Sequence, residues 1–153
     1  MFNIKFSYNI QIYDLLKNDH DKVKKLIAAI EKKKDIKLFE ELKKEVEIHS
    51  EAEEEAFYQP LQSKLGKIKI IIKTGHDEHD LVMAMMKKID KVDDEQEWME
   101  LFSVIKKSLE AHIEMEEEDI FHLGKKHFTS KEAEEIATKM KKLKEKMANN
   151  YKG

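Results

Sequence analysis

Two stretches of the chain place a histidine four residues before a glutamate, His49 before Glu53 and His112 before Glu116. On an α-helix the fourth residue along lies only about 40° around the axis, so each pair shares one helix face. Each stretch therefore offers an imidazole and a carboxylate in the same direction. Helices in bundles present metal ligands in this way.

Histidines also occupy the apolar faces of four predicted helices. Each face has apolar residues at steps of three and four, and near its middle stands at least one histidine. These histidines are His20, His49, His76 with His79, and His112. Polar groups left in a core without partners are costly, so a bound metal is the reading that satisfies them together.

The number and type of these groups limit the metal site. Imidazole and carboxylate ligands without sulfur suit iron, manganese, zinc or copper, so ligand type alone does not choose among them. Five histidines with Glu53 and Glu116 exceed what one tetrahedral ion can use. They suit two ions bridged by the two carboxylates, with a coordination position left open for a small ligand.

The same periodicity predicts an all-α protein. We expect a single domain: an up-down-up-down four-helix bundle over residues 12–124 and an additional C-terminal helix over 130–148. Residues 1–10 are predicted to form an arm over this domain. The motif around His20, Asp19-His20-Asp21-Lys22-Val23, resembles that around His79, Glu78-His79-Asp80-Leu81-Val82. The chain is therefore interpreted as one helical hairpin used twice.

Helix ends are predicted from breakers and caps. Pro60 is expected to end the second helix and Gly124 the fourth. Residues 65–86 keep an apolar step of three and four, which predicts one helix that bends near Gly75.

Composition bounds the class of protein. The 153 residues are 40% charged and 41% hydrophobic, with four glycines and one proline, a balance typical of amphipathic helices. A net charge of −3 gives no electrostatic case for binding nucleic acid or an anionic membrane. The absence of cysteine excludes thiolate zinc sites and iron–sulfur clusters. We expect a cytoplasmic protein, monomeric or weakly homo-oligomeric.

The order of a lone histidine, His-x-x-x-Glu, a histidine helix and a second His-x-x-x-Glu resembles the hemerythrin-like (HHE cation-binding) domain over roughly residues 12–124. The resemblance implies a non-haem di-iron centre, bridged by an oxo or hydroxo group and two carboxylates, inside a four-helix bundle. It implies Glu53 and Glu116 as the bridges. It further implies that the ligands of the two irons are His20 with His49, and His79 with His112 and His76.

Two departures from the family pattern matter. The family's oxygen carriers space two third-helix histidines by four, whereas His76 and His79 are spaced by three, so His76 is alternatively a partly exposed histidine at a helix kink. The same carriers have an aspartate at the fifth position of the fourth-helix motif, where this chain has Glu117 after Glu116.

Other polar residues near the motifs are given structural roles. Of the acids beside the bridging glutamates, we interpret Glu54, Glu55, Glu117 and Glu118 as solvated charges on the outer helix faces. Either Tyr13 or Tyr58 is a candidate donor to a ligand carboxylate.

The function that follows is reversible binding of dioxygen, or of another small diatomic or peroxide ligand, for carriage, storage or sensing. An enzyme acting on peroxide or nitric oxide is the alternative, as is iron storage or buffering. A structural zinc module is disfavoured by the surplus of ligands.

Overall fold

The computed structural model describes residues 10–67 and 69–152, and in these ranges the chain is helical with no strands. The helices are α1 (Ile12–Lys33), α2 (Ile36–Glu53, continued by a π-helical turn Glu54–Tyr58 and by Gln59–Leu65), α3 (Ile70–Ile89), α4 (Glu95–Met115, continued by a π-helical turn Glu116–Ile120 and by Phe121–His127) and α5 (Ser130–Asn150). The all-α prediction with an additional C-terminal helix is confirmed. The up-down-up-down order stays a prediction, and the arm predicted for residues 1–10 lies, except for Ile10, outside the described residues.

Short polar connections separate the helices. Lys34 ends α1 in the left-handed region at φ 52°, and the side chain of Asp35 then caps α2 by accepting from the Lys37 N–H. Asp94 caps α4 by accepting from the Glu97 N–H. Thr129 and Glu132 open α5 with a reciprocal capping box. These caps satisfy N–H groups that the first turn of each helix leaves unpaired.

Two predicted helix ends are wrong. Pro60 does not end α2, because it stands at the start of the segment that follows the π-helical turn, where its missing N–H is tolerated. Gly124 does not end α4, which runs on to His127. Gly124 is instead buried against Tyr13, and a methyl group on it would lie 2.8 Å from the Tyr13 hydroxyl oxygen.

The single helix predicted for residues 65–86 is also wrong. The chain leaves α2 at Gly66, which adopts φ 70° in the left-handed region that glycine tolerates best, and α3 begins at Ile70. Gly75 lies inside α3. A methyl group on Gly75 would lie 2.7 Å from the Tyr58 hydroxyl oxygen, so its bare Cα makes room for that side chain.

The apolar side chains form two cores along the bundle. The first core joins parts of all five helices, with Leu16, Phe57, Ile72, Ile120 and Met140 among its members. The second core joins α1 to α4 at the other end, with Val23, Phe39, Leu42, Met86 and Phe102 among its members. Along each of α1 to α4, the buried histidine falls between residues of the first core and residues of the second. The histidines therefore form a polar layer between two apolar cores.

Candidate metal centre

Six of the seven predicted site residues come together in this polar layer. One group consists of His20, His49, Glu53 and Glu116, and the other of Glu53, His79, His112 and Glu116. Within each group, one nitrogen or oxygen atom from every residue lies within 4.8 Å of the others. All six residues are buried, and both glutamates are fully inaccessible to solvent. The two groups share both glutamates, so each group consists of the same two carboxylates and its own pair of histidines.

In each half of the layer the two histidine rings meet edge to face, at about 60° between their planes. The ring centroids of His20 and His49 are 5.2 Å apart, and those of His79 and His112 are 4.5 Å apart. His20 Nε2 lies 2.9 Å from Glu116 Oε1, and His79 Nε2 lies 3.1 Å from Glu53 Oε1. Each glutamate is therefore close to a histidine from the opposite helical hairpin.

Many of the inward-facing atoms have no hydrogen-bond partner among the described residues. They are the Nε2 atoms of all four histidines, both carboxylate oxygens of Glu53 and Oε1 of Glu116. The short His20–Glu116 approach lacks hydrogen-bond geometry, so it does not satisfy these atoms. Buried polar groups normally have partners, and unpaired ones cost free energy. A metal ion is a group that would satisfy imidazole nitrogens and carboxylate oxygens at once.

Each of the four histidines is held from behind by a carboxylate. His49 Nδ1 lies 2.8 Å from Asp19 Oδ2, and His112 Nδ1 lies 2.8 Å from Glu78 Oε1. A carboxylate can only accept, so each Nδ1 carries a proton, and in the neutral imidazole each Nε2 keeps a lone pair that faces inward. This arrangement, in which a carboxylate orients a metal-binding imidazole, is common at metal sites.

The other two histidines are each held by a carboxylate from the opposite helical hairpin. His79 Nδ1 donates to Glu54 Oε2 at 3.0 Å, and His20 Nδ1 donates to Glu117 Oε2 at 2.7 Å. The interpretation of Glu54 and Glu117 as solvated charges is therefore wrong. Glu55 and Glu118 are exposed, as predicted.

The internal repeat carried a signal for these four carboxylates that the spacing argument missed. An acid precedes the lone histidine of each half, and this acid (Asp19 or Glu78) accepts from the other histidine of the same half. An acid also follows each shared glutamate, and this acid (Glu54 or Glu117) accepts from the lone histidine of the opposite half. The repeat thus places an acid at each of these four positions, but it also matches Glu55 with Glu118, so it does not by itself separate Glu54 and Glu117 from their exposed neighbours.

His76 lies apart from the other six residues. Its side chain is 48% exposed, its Nδ1 hydrogen bonds to Glu54, and its Nε2 is 3.3 Å from Asp80 Oδ2. Because His76 is three residues before His79, it lies at the edge of the buried face of α3, next to solvent. His76 thus contacts the carboxylate that holds His79 and is not part of either ligand group.

The two halves differ in the aromatic residue that stacks on the lone histidine. Tyr58 follows Glu53 by five residues and stacks on His79, with ring centroids 5.4 Å apart and planes 6° from parallel. Phe121 follows Glu116 by five residues and stacks on His20 at 6.2 Å and 13°. Only the tyrosine has a hydroxyl, which donates to Glu116 Oε2. Of the two tyrosines considered, Tyr58 is thus the one that donates to a site carboxylate.

The two shared glutamates differ in the direction of their pKa shifts. Burial raises the pKa of Glu53 well above its usual range, and the neighbouring Glu116 adds to the rise. Burial alone would also raise the pKa of Glu116, but the adjacent His112 and His20 imidazoles hold it well below its usual range. Burial, followed by the nearby glutamates, raises the pKa of Tyr58 well above its usual value, so the phenol keeps its proton.

A small cavity adjoins the histidines on the side of the second core. Its volume is about 20 Å³, and its walls are the four histidines together with Val23, Val46, Ser50, Glu78, Val82, Leu109 and Ile113. A cavity of this size holds about one water-sized molecule. Its walls expose mostly apolar atoms, so it favours a small, weakly polar occupant.

The fold and this layer define a class: a helical protein with buried histidine and glutamate groups suited to hold metal. The family model of the hemerythrin HHE cation binding domain matches residues 11–123. The chain therefore belongs to the hemerythrin HHE cation-binding domain family, which indicates metal binding. Neither the comparison with curated proteins nor the comparison with solved structures gave a match.

Among the described residues, no helix has the length and apolar character that a membrane span requires.

Proposed function

We propose that this protein holds two iron ions and binds dioxygen, or a related small ligand, reversibly for carriage, storage or sensing. The sharing of Glu53 and Glu116 between the two ligand groups supports two ions rather than one. Each carboxylate has two oxygens and can serve two ions at once. Imidazole and carboxylate ligands suit iron among other metals, and membership of the family favours iron over the rest.

The observation that carries the proposal is the small cavity beside the four histidines. At about 20 Å³, it admits a diatomic molecule and excludes a larger organic substrate. Its valine, leucine and isoleucine walls limit the water and protons that reach the centre. Reduction of dioxygen to water needs protons, so a dry wall favours release of the intact ligand.

The protein side chains would fix the geometry of the centre before a ligand arrives. Iron ions held there would supply electrons and an open coordination position for dioxygen. Asp19, Glu54, Glu78 and Glu117 fix the four imidazoles with Nε2 facing inward. Tyr58 fixes Glu116 and covers one face of the His79 ring.

The proposal is tested by loading the protein with ferrous iron under anaerobic conditions. We expect about two iron ions per chain by metal analysis. Admission of air should produce charge-transfer absorption bands, and removal of oxygen should abolish them over repeated cycles. A Glu55→Ala chain is the matched control, because Glu55 is an exposed acid on the same helical turn as the site.

Three outcomes would contradict the proposal. Retention of one zinc ion per chain with failure to load iron would rule out the di-iron centre. Bands that do not reverse on deoxygenation would rule out carriage. Sustained consumption of added peroxide or nitric oxide would assign the centre to an enzyme instead.

A further inference from the structure

Helix α5 brings a lysine to one of the four carboxylates behind the histidines. Lys144 Nζ donates to Asp19 Oδ1 at 2.5 Å, and Asp19 Oδ2 accepts from His49 Nδ1 at 2.8 Å. Helix α5 lies beyond residues 11–123, which the family model matches. A residue outside the matched region thus reaches the centre through a single intervening side chain.

The contact with Lys144 distinguishes Asp19 from its counterpart in the other half. Asp19 is only 6% exposed, and Lys144 is itself mostly covered. Glu78, which holds His112, is about one-third exposed. Within residues 10–67 and 69–152, Glu54, Glu78 and Glu117 have no lysine within ion-pair distance. The lysine therefore breaks the equivalence of the two halves.

The position of Lys144 is set by the packing of α5. Ala133, Ile136, Ala137 and Met140 anchor this helix in the first core, and Leu143 packs partly against it. Another nearby cation, Lys22, is engaged with Glu45 Oε2 at 2.9 Å. Lys144 is consequently the cation that contacts the Asp19 carboxylate directly.

A cation bound to one oxygen of a carboxylate makes the other oxygen a weaker hydrogen-bond acceptor. A free carboxylate that accepts the Nδ1 proton of a ligand histidine makes that imidazole a stronger donor to its metal. The ammonium of Lys144 draws negative charge towards Oδ1 of Asp19, so the Oδ2 atom accepts the His49 proton less strongly. The positive charge also disfavours the higher oxidation state of a nearby ion, because buried charges are weakly screened.

We infer that Lys144 is a positioning residue that fixes Asp19 and weakens His49 as a metal donor. In consequence, the ion position at His20 and His49 differs electronically from that at His79 and His112. The inference rests on the proposed metal-binding function for its effect on iron. Its effect on His49 is a property of the protein alone.

The first experiment uses full-length, metal-free protein labelled with ¹⁵N at histidine. Lys144→Gln removes the charge and keeps a hydrogen-bond donor, and we expect the Nδ1 proton signal of His49 to move downfield as Asp19 becomes a stronger acceptor. The signals of His79 and His112 should stay in place. Lys144→Arg should keep all signals near their original positions, and Lys142→Gln, at an exposed site on α5, should do the same.

The second experiment is a redox titration of the iron-loaded protein. Lys144→Gln should lower one of the two midpoint potentials and leave the other unchanged, whereas Lys144→Arg should restore the original pair. In an Asp19→Asn background, Lys144→Gln should leave the His49 signal in place and shift the potential by less, since the intermediary is gone and only the direct effect of the charge remains. This double substitution also keeps the test informative if Lys144→Gln unfolds part of α5.

An unchanged His49 signal in Lys144→Gln would overturn the inference. So would equal movement of all four histidine signals, or an equal fall of both potentials, because either result would mean a general effect of charge or stability. If iron does not load, the proposed function fails, and the magnetic resonance measurement still decides whether Lys144 acts on His49.

Discussion

Tyr58 donates a hydrogen bond from its phenolic hydroxyl to Glu116, and so joins the last residue of one π-helical turn to the first residue of the other. Its ring meanwhile stacks on His79 in the opposite hairpin. The space for this hydroxyl exists because residue 75 is a glycine. One side chain therefore fixes a shared carboxylate and a histidine at once.

Replacing Tyr58 with phenylalanine should separate these two roles. The ring stack on His79 is kept, but Glu116 loses a buried donor, which should cost about 1–3 kcal/mol of unfolding free energy in the metal-free protein. Metal affinity should fall by about 10–100-fold, as for other residues that hold a ligand. Chemical denaturation and competition with a chelator measure the two effects.

The matched control for Tyr58→Phe is Tyr13→Phe. The Tyr13 hydroxyl is buried with no hydrogen-bond partner among the described residues, so its removal should be neutral or stabilising. Equal losses of stability in the two variants would contradict a specific role for the Tyr58 hydroxyl.

Removal of a shared carboxylate should reduce the number of ions bound. Glu53→Ala should lose at least one ion per chain, because Glu53 belongs to both ligand groups. Metal analysis after anaerobic loading and desalting measures this number. Glu55→Ala, on the exposed side of the same turn, should keep the full complement. A Glu53→Ala chain with unchanged stoichiometry would remove Glu53 from the centre.

The acids behind the histidines should affect affinity rather than stoichiometry. Glu117→Gln weakens acceptance of the His20 Nδ1 proton, and we expect metal affinity to fall by about 10–100-fold. The chelator concentration at half-removal of metal measures this change. Glu118→Gln is the control, since Glu118 is exposed. An affinity loss shared by both variants would indicate a non-specific effect of net charge.

His76→Ala should leave the metal count and the absorption spectrum unchanged. The residue contacts Glu54, which holds His79, so a modest loss of affinity on that side is expected. Metal analysis and optical titration test both points. Loss of a full ion would instead return His76 to the ligand set that its position in sequence suggests.

Lys34→Gly should stabilise the protein by about 1 kcal/mol. Lys34 adopts a positive φ of 52° at the end of α1, a conformation that costs less for glycine than for lysine. Its ion pair with Glu95 at 3.2 Å is exposed and contributes little. Denaturant midpoints should rise for Lys34→Gly and fall for Lys33→Gly, where glycine replaces the last helical residue of α1. A fall in both would show that Lys34 is unstrained.

Much of the fold and site follows from local rules that act along the sequence. Steps of three and four identified the helix faces, and the histidines within those faces identified the polar layer. His76 shows the limit of such rules, because a residue one step off the centre of a face can lie on either side of the boundary with solvent. Its exposure depends on how closely α2 approaches α3, which spacing does not encode.

The errors at Pro60 and at residues 65–86 have a different cause. A reading based on 3.6 residues per turn assumes unbroken α geometry, but α2 contains a wider π-helical turn just before Pro60. This turn accommodates the proline. The helix ends at Gly66, although the apolar pattern in the sequence continues through that position. The Lys144–Asp19 contact joins residues 125 positions apart, so it requires knowledge of where α5 docks.

The crossing of Glu54 to His79 and of Glu117 to His20 means that neither hairpin fixes its own lone histidine, and each ligand group likewise takes residues from both hairpins. The same contact occurs once in each direction, as at an isologous interface between two identical subunits, here contained within one chain. Metal capture thus depends on the docking of the two halves and not on the folding of either half alone. An ion bound at this centre would hold the two halves together, and it would stabilise the assembled halves over the separated ones.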